Sequence, residues 1–141
     1  ADQRIPINLM TIPMKLRLAS LGNAFARAQL VRDPIKLVAM ATIKSGGVTD
    51  MEAAKYAANS ALNEDVIRYI TNKREWTRLY SIKFNLVLNP KTPMGDALRF
   101  MQHLRDKDMR TVAKSKGVPS TIALKARDII ASKATGGKKK K

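Results

Sequence analysis

Residues 76–93 read WTRLYSIKFNLVLNPKTP, the densest apolar run of the chain followed by its clearest stop signal. At 3.6 residues per turn, Leu79, Ile82 and Leu86 fall on one face and Tyr80, Phe84 and Val87 on the adjacent one. Arg74, Arg78, Ser81 and Asn85 are left on a narrow polar stripe. The spacing predicts a central helix over 76–88, with Trp76 packed inside the fold rather than exposed as a platform for base stacking. Asn89-Pro90-Lys91-Thr92-Pro93 ends this helix and caps the next one.

The same grammar continues outward. Downstream, Met94, Ala97, Leu98, Met101 and Leu104 recur at three and four, and Asp106-Lys107-Asp108 opens a short helix through Val112 and Ala113. Gly117-Val118-Pro119-Ser120 restarts the chain for a last helix carrying Ile122, Leu124, Ala126, Ile129 and Ile130. Upstream, Asn63-Glu64-Asp65 precedes Val66, Ile67 and Ile70, and Thr49-Asp50-Met51-Glu52 is a capping box. Asp33-Pro34 reads as an N-cap with Pro at the first helical position, and Ser45-Gly46-Gly47 stops that helix. Ile12-Pro13 starts a front helix with Leu16, Leu18, Ala19 and Leu21, broken near Gly22-Asn23 and continued by Phe25 and Leu30. Long Val/Ile/Thr alternations are missing, while Ala, Leu, Met, Lys and Arg dominate. The expectation is an all-α fold of about eight short helices and almost no sheet, forming one domain over residues 1–132.

Aligning Val48-Thr49-Asp50-Met51 with Lys91-Thr92-Pro93-Met94 and Gly117-Val118-Pro119-Ser120 places a helix-opening turn after each of three apolar helices, at unequal offsets. This favours a degenerate repeat of helix pairs stacked side by side over a plain orthogonal bundle. At Asn89-Pro90-Lys91-Thr92-Pro93, Ala97-Leu98, Leu104, Asp106 to Arg110, and Val112-Ala113 through Val118-Pro119, the chain resembles HEAT-like repeats of the bacterial leucine-rich-repeat-variant kind. The likeness covers residues 74–130 and, more faintly, 32–60. It implies a right-handed helical stack with a concave or ridged binding surface. It brings no catalytic residues, and members include both protein-binding scaffolds and DNA-binding stacks.

Charge is the abnormal quantity. The 141 residues carry 27 Lys or Arg against 11 Asp or Glu, a net charge of +16. Residues 133–141 hold five of the lysines and read as a disordered basic tail, so the remaining body keeps +11. A surface this basic attracts polyanions. There is no cysteine, which excludes disulfides, thiolate nucleophiles and cysteine-ligated zinc. His103 is the single histidine and reads as a surface or packing residue, and Asp96, Asp106 and Asp108 sit where helix capping accounts for them. No glycine-rich phosphate loop or nucleophile motif occurs, so neither a metal, a cofactor nor an enzymatic activity is expected. With no apolar run of membrane-span length and no leader pattern, the expected setting is the cytoplasm, at the nucleoid or the ribosome.

The candidate nucleic-acid-binding residues form two segments and their extensions. Lys73, Arg74 and Arg78 run along the start of the central helix, Arg74 and Arg78 one turn apart on its polar stripe, with Lys91 in the turn after it. Arg105, Lys107, Arg110, Lys114 and Lys116 span the helix near residue 110 and its exit, Lys125 and Arg127 follow, and Lys138, Lys139, Lys140 and Lys141 end the tail. Stacked helix pairs would align these into one basic strip binding DNA or structured RNA through phosphates, without base-specific readout. Three other readings differ in class. They are a scaffold for an acidic protein, docking to an anionic membrane through residues 5–21, and a DNA glycosylase-like activity. In residues 5–21 only Lys15 and Arg17 accompany the apolar side chains, which favours burial in the fold over membrane docking.

Overall fold

The computed structural model describes residues 5–139, with side chains through residue 134. After a 3-10 turn (Ile7–Leu9) come α1 (Ile12–Leu21), α2 (Ala24–Leu30), α3 (Lys36–Ile43), α4 (Asp50–Ala57) and α5 (Glu64–Asn72). Then follow α6 (Arg74–Thr77), α7 (Tyr80–Leu88), α8 (Met94–Met101), α9 (Asp106–Lys114) and α10 (Ser120–Lys139). The described residues contain no strand. Ten helices replace the expected eight because the front and central helices each break in two.

Both breaks have causes in packing. Between α1 and α2 the backbone folds so closely that a Cβ on Gly22 would lie 2.7 Å from the Leu18 carbonyl oxygen and 3.0 Å from the Ala26 Cβ. Only glycine fits there, and Asn23 then caps α2 by accepting from the Ala26 N–H at 3.0 Å. The expected continuous helix over 76–88 is interrupted at Leu79, which is extended (φ −84°, ψ 130°). No Gly, Pro or cap residue marks this site in the sequence. Trp76 is buried edge-on to Tyr69 of α5, while Tyr80 is held by α9, and the chain bends between the two anchors. Helix α3 begins at Lys36 rather than at Pro34, because the Asp33 carboxylate accepts from the Ile35 N–H and from the Lys15 ammonium instead of capping the helix.

The helices pack in rows. One row runs α1, α3, α5 and the other α4, α7, α9, with α8 and α10 packed on each other and against α7 and α9 respectively. In the second row all three helices point the same way. Asn85 on α7 and Asn89 one turn on, at the helix's C-cap, donate to the carbonyls of Ala54 and Ala57 on α4, each at 2.8 Å, and the start of α7 meets the start of α9 through Tyr80 and Asp108. The main core fills the space between, around Ile67, Ile70, Ile82, Leu86, Val112 and Ile122. Burying such side chains is the main source of stability. A second, much thinner cluster of Ala19, Leu30 and Val38 underlies the N-terminal helices.

Five of the connections share a five-position pattern leading into the next helix. It begins at Ser45, Asn59, Asn89, Met101 (the last residue of α8) and Ser115. The fourth residue turns inward (Val48, Leu62, Thr92, Leu104, Val118), and the fifth, Thr49, Asn63, Pro93, Arg105 or Pro119, immediately precedes the next helix. In four of the five, the first side chain accepts a hydrogen bond from the N–H two residues on, at 2.9–3.2 Å. Asn89 adds a cross-brace. Its amide nitrogen donates to the Ala57 and Asn59 carbonyls at 2.8 and 3.3 Å, satisfying the end of α4 from the next connection along. Replacing buried Asn89 by Ala should cost about 2–3 kcal/mol, against about 1 kcal/mol or less for Asn59→Ala, which has only the local turn. Urea unfolding of the two variants measures the difference; equal costs would mean the cross-brace contributes nothing.

Residues 5–21 depart from the burial expected of them. In α1 only Lys15 and Ala19 are buried, while Leu9, Ile12, Met14 and Leu21 are exposed. The helix turns inward the side that carries Lys15, whose ammonium meets Asp33 at 2.6 Å. At the other end α10 passes residue 132 without a break and runs to Lys139, so the segment expected as a tail begins as helix, with Lys133 paired to Asp106 at 2.8 Å. Lys140 and Lys141 lie outside the described residues.

Candidate nucleic-acid interface

The parallel row gives the fold two opposite edges. One gathers the starts of α7 and α9 with the ends of α3, α5 and α10; the other gathers the connections at 59–63, 89–93 and 115–119. The basic residues divide between these edges.

On the first edge, Arg74 opens α6 and Arg78 caps its end; both are exposed, one turn apart, and the Arg78 N–H donates to the Arg74 carbonyl at 3.2 Å. The one-turn spacing read from sequence is present, although on a four-residue helix. Lys73 is half-buried, its ammonium 5.1 Å from the Trp76 ring centroid and 5.9 Å from that of Tyr69. The exposed Lys44, 29 positions earlier in the chain, lies 6.0 Å from the same Tyr69 ring. Sequence reasoning missed Lys44, because only the packing of α3 on α5 brings it here. Arg105 stacks 4.2 Å over the Tyr80 ring, and its N–H donates to the Tyr80 hydroxyl, which donates in turn to Asp108 at 2.5 Å. Burial first, and Asp108 after it, push the Tyr80 hydroxyl above its ordinary pKa, so it stays a donor at neutral pH. Lys107 is exposed beside it, and the Lys133 ammonium holds the Asp106 carboxyl below the usual carboxylate range.

Along α9, Lys107, Arg110 and Lys114 at i, i+3 and i+7 form a stripe about 10 Å long on the side opposite Met109, Val112 and Ala113. Lys114 and Lys116 reach the second edge. Lys91 is there too, but half-buried, its ammonium donating to the Leu62 carbonyl at 2.5 Å, so this charge serves to close a turn. Lys125 and Arg127, two positions apart on α10, are both exposed but point about 200° apart around the axis. They do not share a strip. The backbone of Lys138 and Lys139 belongs to the last turn of α10, which ends toward the first edge, and their side chains lie outside the described set.

No protein-family model, curated protein or solved structure matches the chain. The resemblance to HEAT-like repeats therefore rests on the motifs quoted above.

Three acids share the first edge with the bases: exposed Glu75 on α6, Asp106, which is paired with Lys133, and Asp108, which accepts from the Tyr80 hydroxyl; most of the others are paired elsewhere. Glu52 is paired with Arg27, Glu64 and Asp65 with Arg68 and Lys36, and Asp96 with Arg99, all away from the first edge or inside the fold. Among the described residues, Lys44, Lys73, Arg74, Arg78, Arg105, Lys107 and Arg110 form no salt bridge. His103 is exposed, no group of three or more His, Asp or Glu side chains could hold a metal ion among the described residues, and no helix there is long and apolar enough to cross a membrane.

Proposed function

We propose that the protein is a non-enzymatic nucleic-acid-binding module, a HEAT-like stack that grips DNA or structured RNA through its first edge and the stripe along α9. The observation that carries this reading is the collection on one edge of Lys44, Lys73, Arg74, Arg78, Arg105, Lys107 and Arg110, which form no salt bridge among the described residues and outnumber the acids there, Glu75, Asp106 and Asp108. Such a surface reads phosphates and not bases, since it offers no groove-filling recognition helix and no exposed row of aromatic rings. Its exposed guanidinium and ammonium groups release counterions on binding, which makes affinity strongly dependent on salt.

With about six phosphate contacts, affinity for duplex DNA or a structured RNA should fall about 10³-fold between 50 and 200 mM salt. Anisotropy titrations with duplex DNA, single-stranded DNA and a structured RNA test this and rank the three. Absence of binding to all of them at 50 mM salt would sink the proposal.

A further inference from the structure

Eight of the eleven most exposed large apolar side chains lie within residues 5–37, including Leu21 at 77% exposure, Phe25 at 73%, Leu9 at 69% and Leu37 at 59%. Exposed apolar residues gathered in this way mark interaction surfaces. Four of the eight, Ile5, Met14, Leu21 and Phe25, line a groove. A cleft of about 1390 Å³ between the 3-10 turn, α1 and α2 has Met10, Met14, Leu18 and Phe25 among its lining side chains. A second, of about 420 Å³, shares Met10, Met14 and Leu18 and opens beside Leu21. Met14, Leu18 and Leu21 follow at i, i+4 and i+7 along α1, and the flexible thioethers can adapt to an apolar partner.

Charge selects the occupant. Arg32 lines the first cleft and Arg17 the second; both are exposed and neither forms an ion pair among the described residues. The one carboxylate in the lining, Asp33, is neutralised by Lys15 and accepts from the Ile35 N–H. The rim is thus positive, and a second copy of a chain carrying +16 would be repelled. We infer that the groove takes an amphipathic helix from an acidic protein segment, its apolar side laid along Met14, Leu18, Leu21 and Phe25 and its Asp or Glu side chains facing Arg17 and Arg32. This site lies on the N-terminal helices, apart from the basic edge, and stands or falls independently of nucleic-acid binding.

The test is a selection from a displayed library of randomised peptides about 16 residues long, enough for some four helical turns. The full chain is the bait, with excess inorganic polyphosphate to occupy the basic edge. The enriched peptides should combine acidic residues with apolar ones at three- and four-residue spacing. They should bind the Leu21→Ser/Phe25→Ser variant at least ~10-fold more weakly, and Arg17→Glu/Arg32→Glu at least ~5-fold more weakly. All four side chains are exposed, and unchanged circular dichroism melts would show that folding is intact. Any of four results would overturn the inference: no enrichment, acidic peptides without apolar spacing, neutral or basic apolar peptides, or binding to either variant as tight as to the wild type. So would a wild-type dimer in sedimentation that Leu21→Ser/Phe25→Ser converts to monomer, since that assigns the groove to a second copy.

Discussion

Arg27→Ala should destabilise the fold by about 3–5 kcal/mol, a large part of the 5–15 kcal/mol typical of a domain, and lower Tm by about 10–15 °C. Arg27 is almost fully buried between α2 and α4. Its Nε and Nη2 donate to the two Glu52 carboxylate oxygens at 2.8 and 2.9 Å, and its Nη1 donates to the Gly22 carbonyl at 2.8 Å. A Cβ at Gly47 would stand 2.8 Å from Nη1, so the chain keeps glycine where the guanidinium passes. Glu52 also closes the capping box with Thr49 and accepts from the Tyr56 hydroxyl. Burial, with Glu52 beside it, pushes the Tyr56 pKa up to about 12. Removing the guanidinium strands a buried carboxylate that keeps only the weaker of these donors. Arg27→Lys should recover little, because an ammonium cannot supply the paired geometry.

The same variant has a signature in pH. Arg27 first, and the Thr49 amide after burial is counted against them, hold the Glu52 carboxyl below its usual range. A carboxylate with a lowered pKa in the fold adds stability above its unfolded value of about 4.3, and that stability is lost as pH falls through the folded value. The stability gap between wild type and Arg27→Ala should therefore be widest near neutrality and shrink below about pH 4. Urea titrations at pH 7, 5 and 3.5 measure it. A gap independent of pH would show that lost packing, not the ion pair, accounts for the cost.

The second large effect concerns binding. Arg74→Glu/Arg78→Glu should weaken nucleic-acid affinity about 100-fold near 100 mM salt, because each lost phosphate contact removes about one unit from the salt dependence. Lys55→Glu/Lys116→Glu, both exposed near the other edge and off the α9 stripe, changes the net charge by the same four units and should cost less than about 5-fold. Deleting Lys138 to Lys141 should also cost less than the arginine reversal. Equal losses in the two double variants would mean that binding follows net charge and no particular edge. A larger loss on deleting the tail would make the tail the binding element.

How much of this was legible in the sequence varies with the physics involved. Helix starts were readable where a side chain makes a local bond, and the Thr49–Glu52 capping box is formed as its spacing suggests. Periodicity correctly marked Ile82 and Leu86 for burial, and Trp76 is packed inside. The bend at Leu79 was not readable, because the contacts that impose it come from α5 and α9. The internal alignment slipped by one position: the inward residue Val48 corresponds to Thr92 and Val118, not to Lys91 and Gly117, and Leu62 belongs to the same set. Apolar identity at that fourth position was the available signal, disguised at Thr92, whose hydroxyl donates to the Leu86 carbonyl and so makes burial tolerable. For the site, the sign and rough location of the charge could be read, but not that Lys91 is spent on a carbonyl or that Lys44 joins Lys73 beside Tyr69. Both depend on which helices lie side by side.

Each helix finds its neighbours nearby in the chain, and among the described residues no side-chain hydrogen bond spans more than the 32 positions from Ala57 to Asn89. Closing such short loops costs little entropy, so the folding barrier should be low and the chain should reach its native state on the microsecond-to-millisecond scale of local-contact helical proteins. The thin N-terminal cluster, tied to the rest by the Arg27 clamp, would then be the region that opens most readily in hydrogen exchange, while α7 and the helices packed on it exchange last.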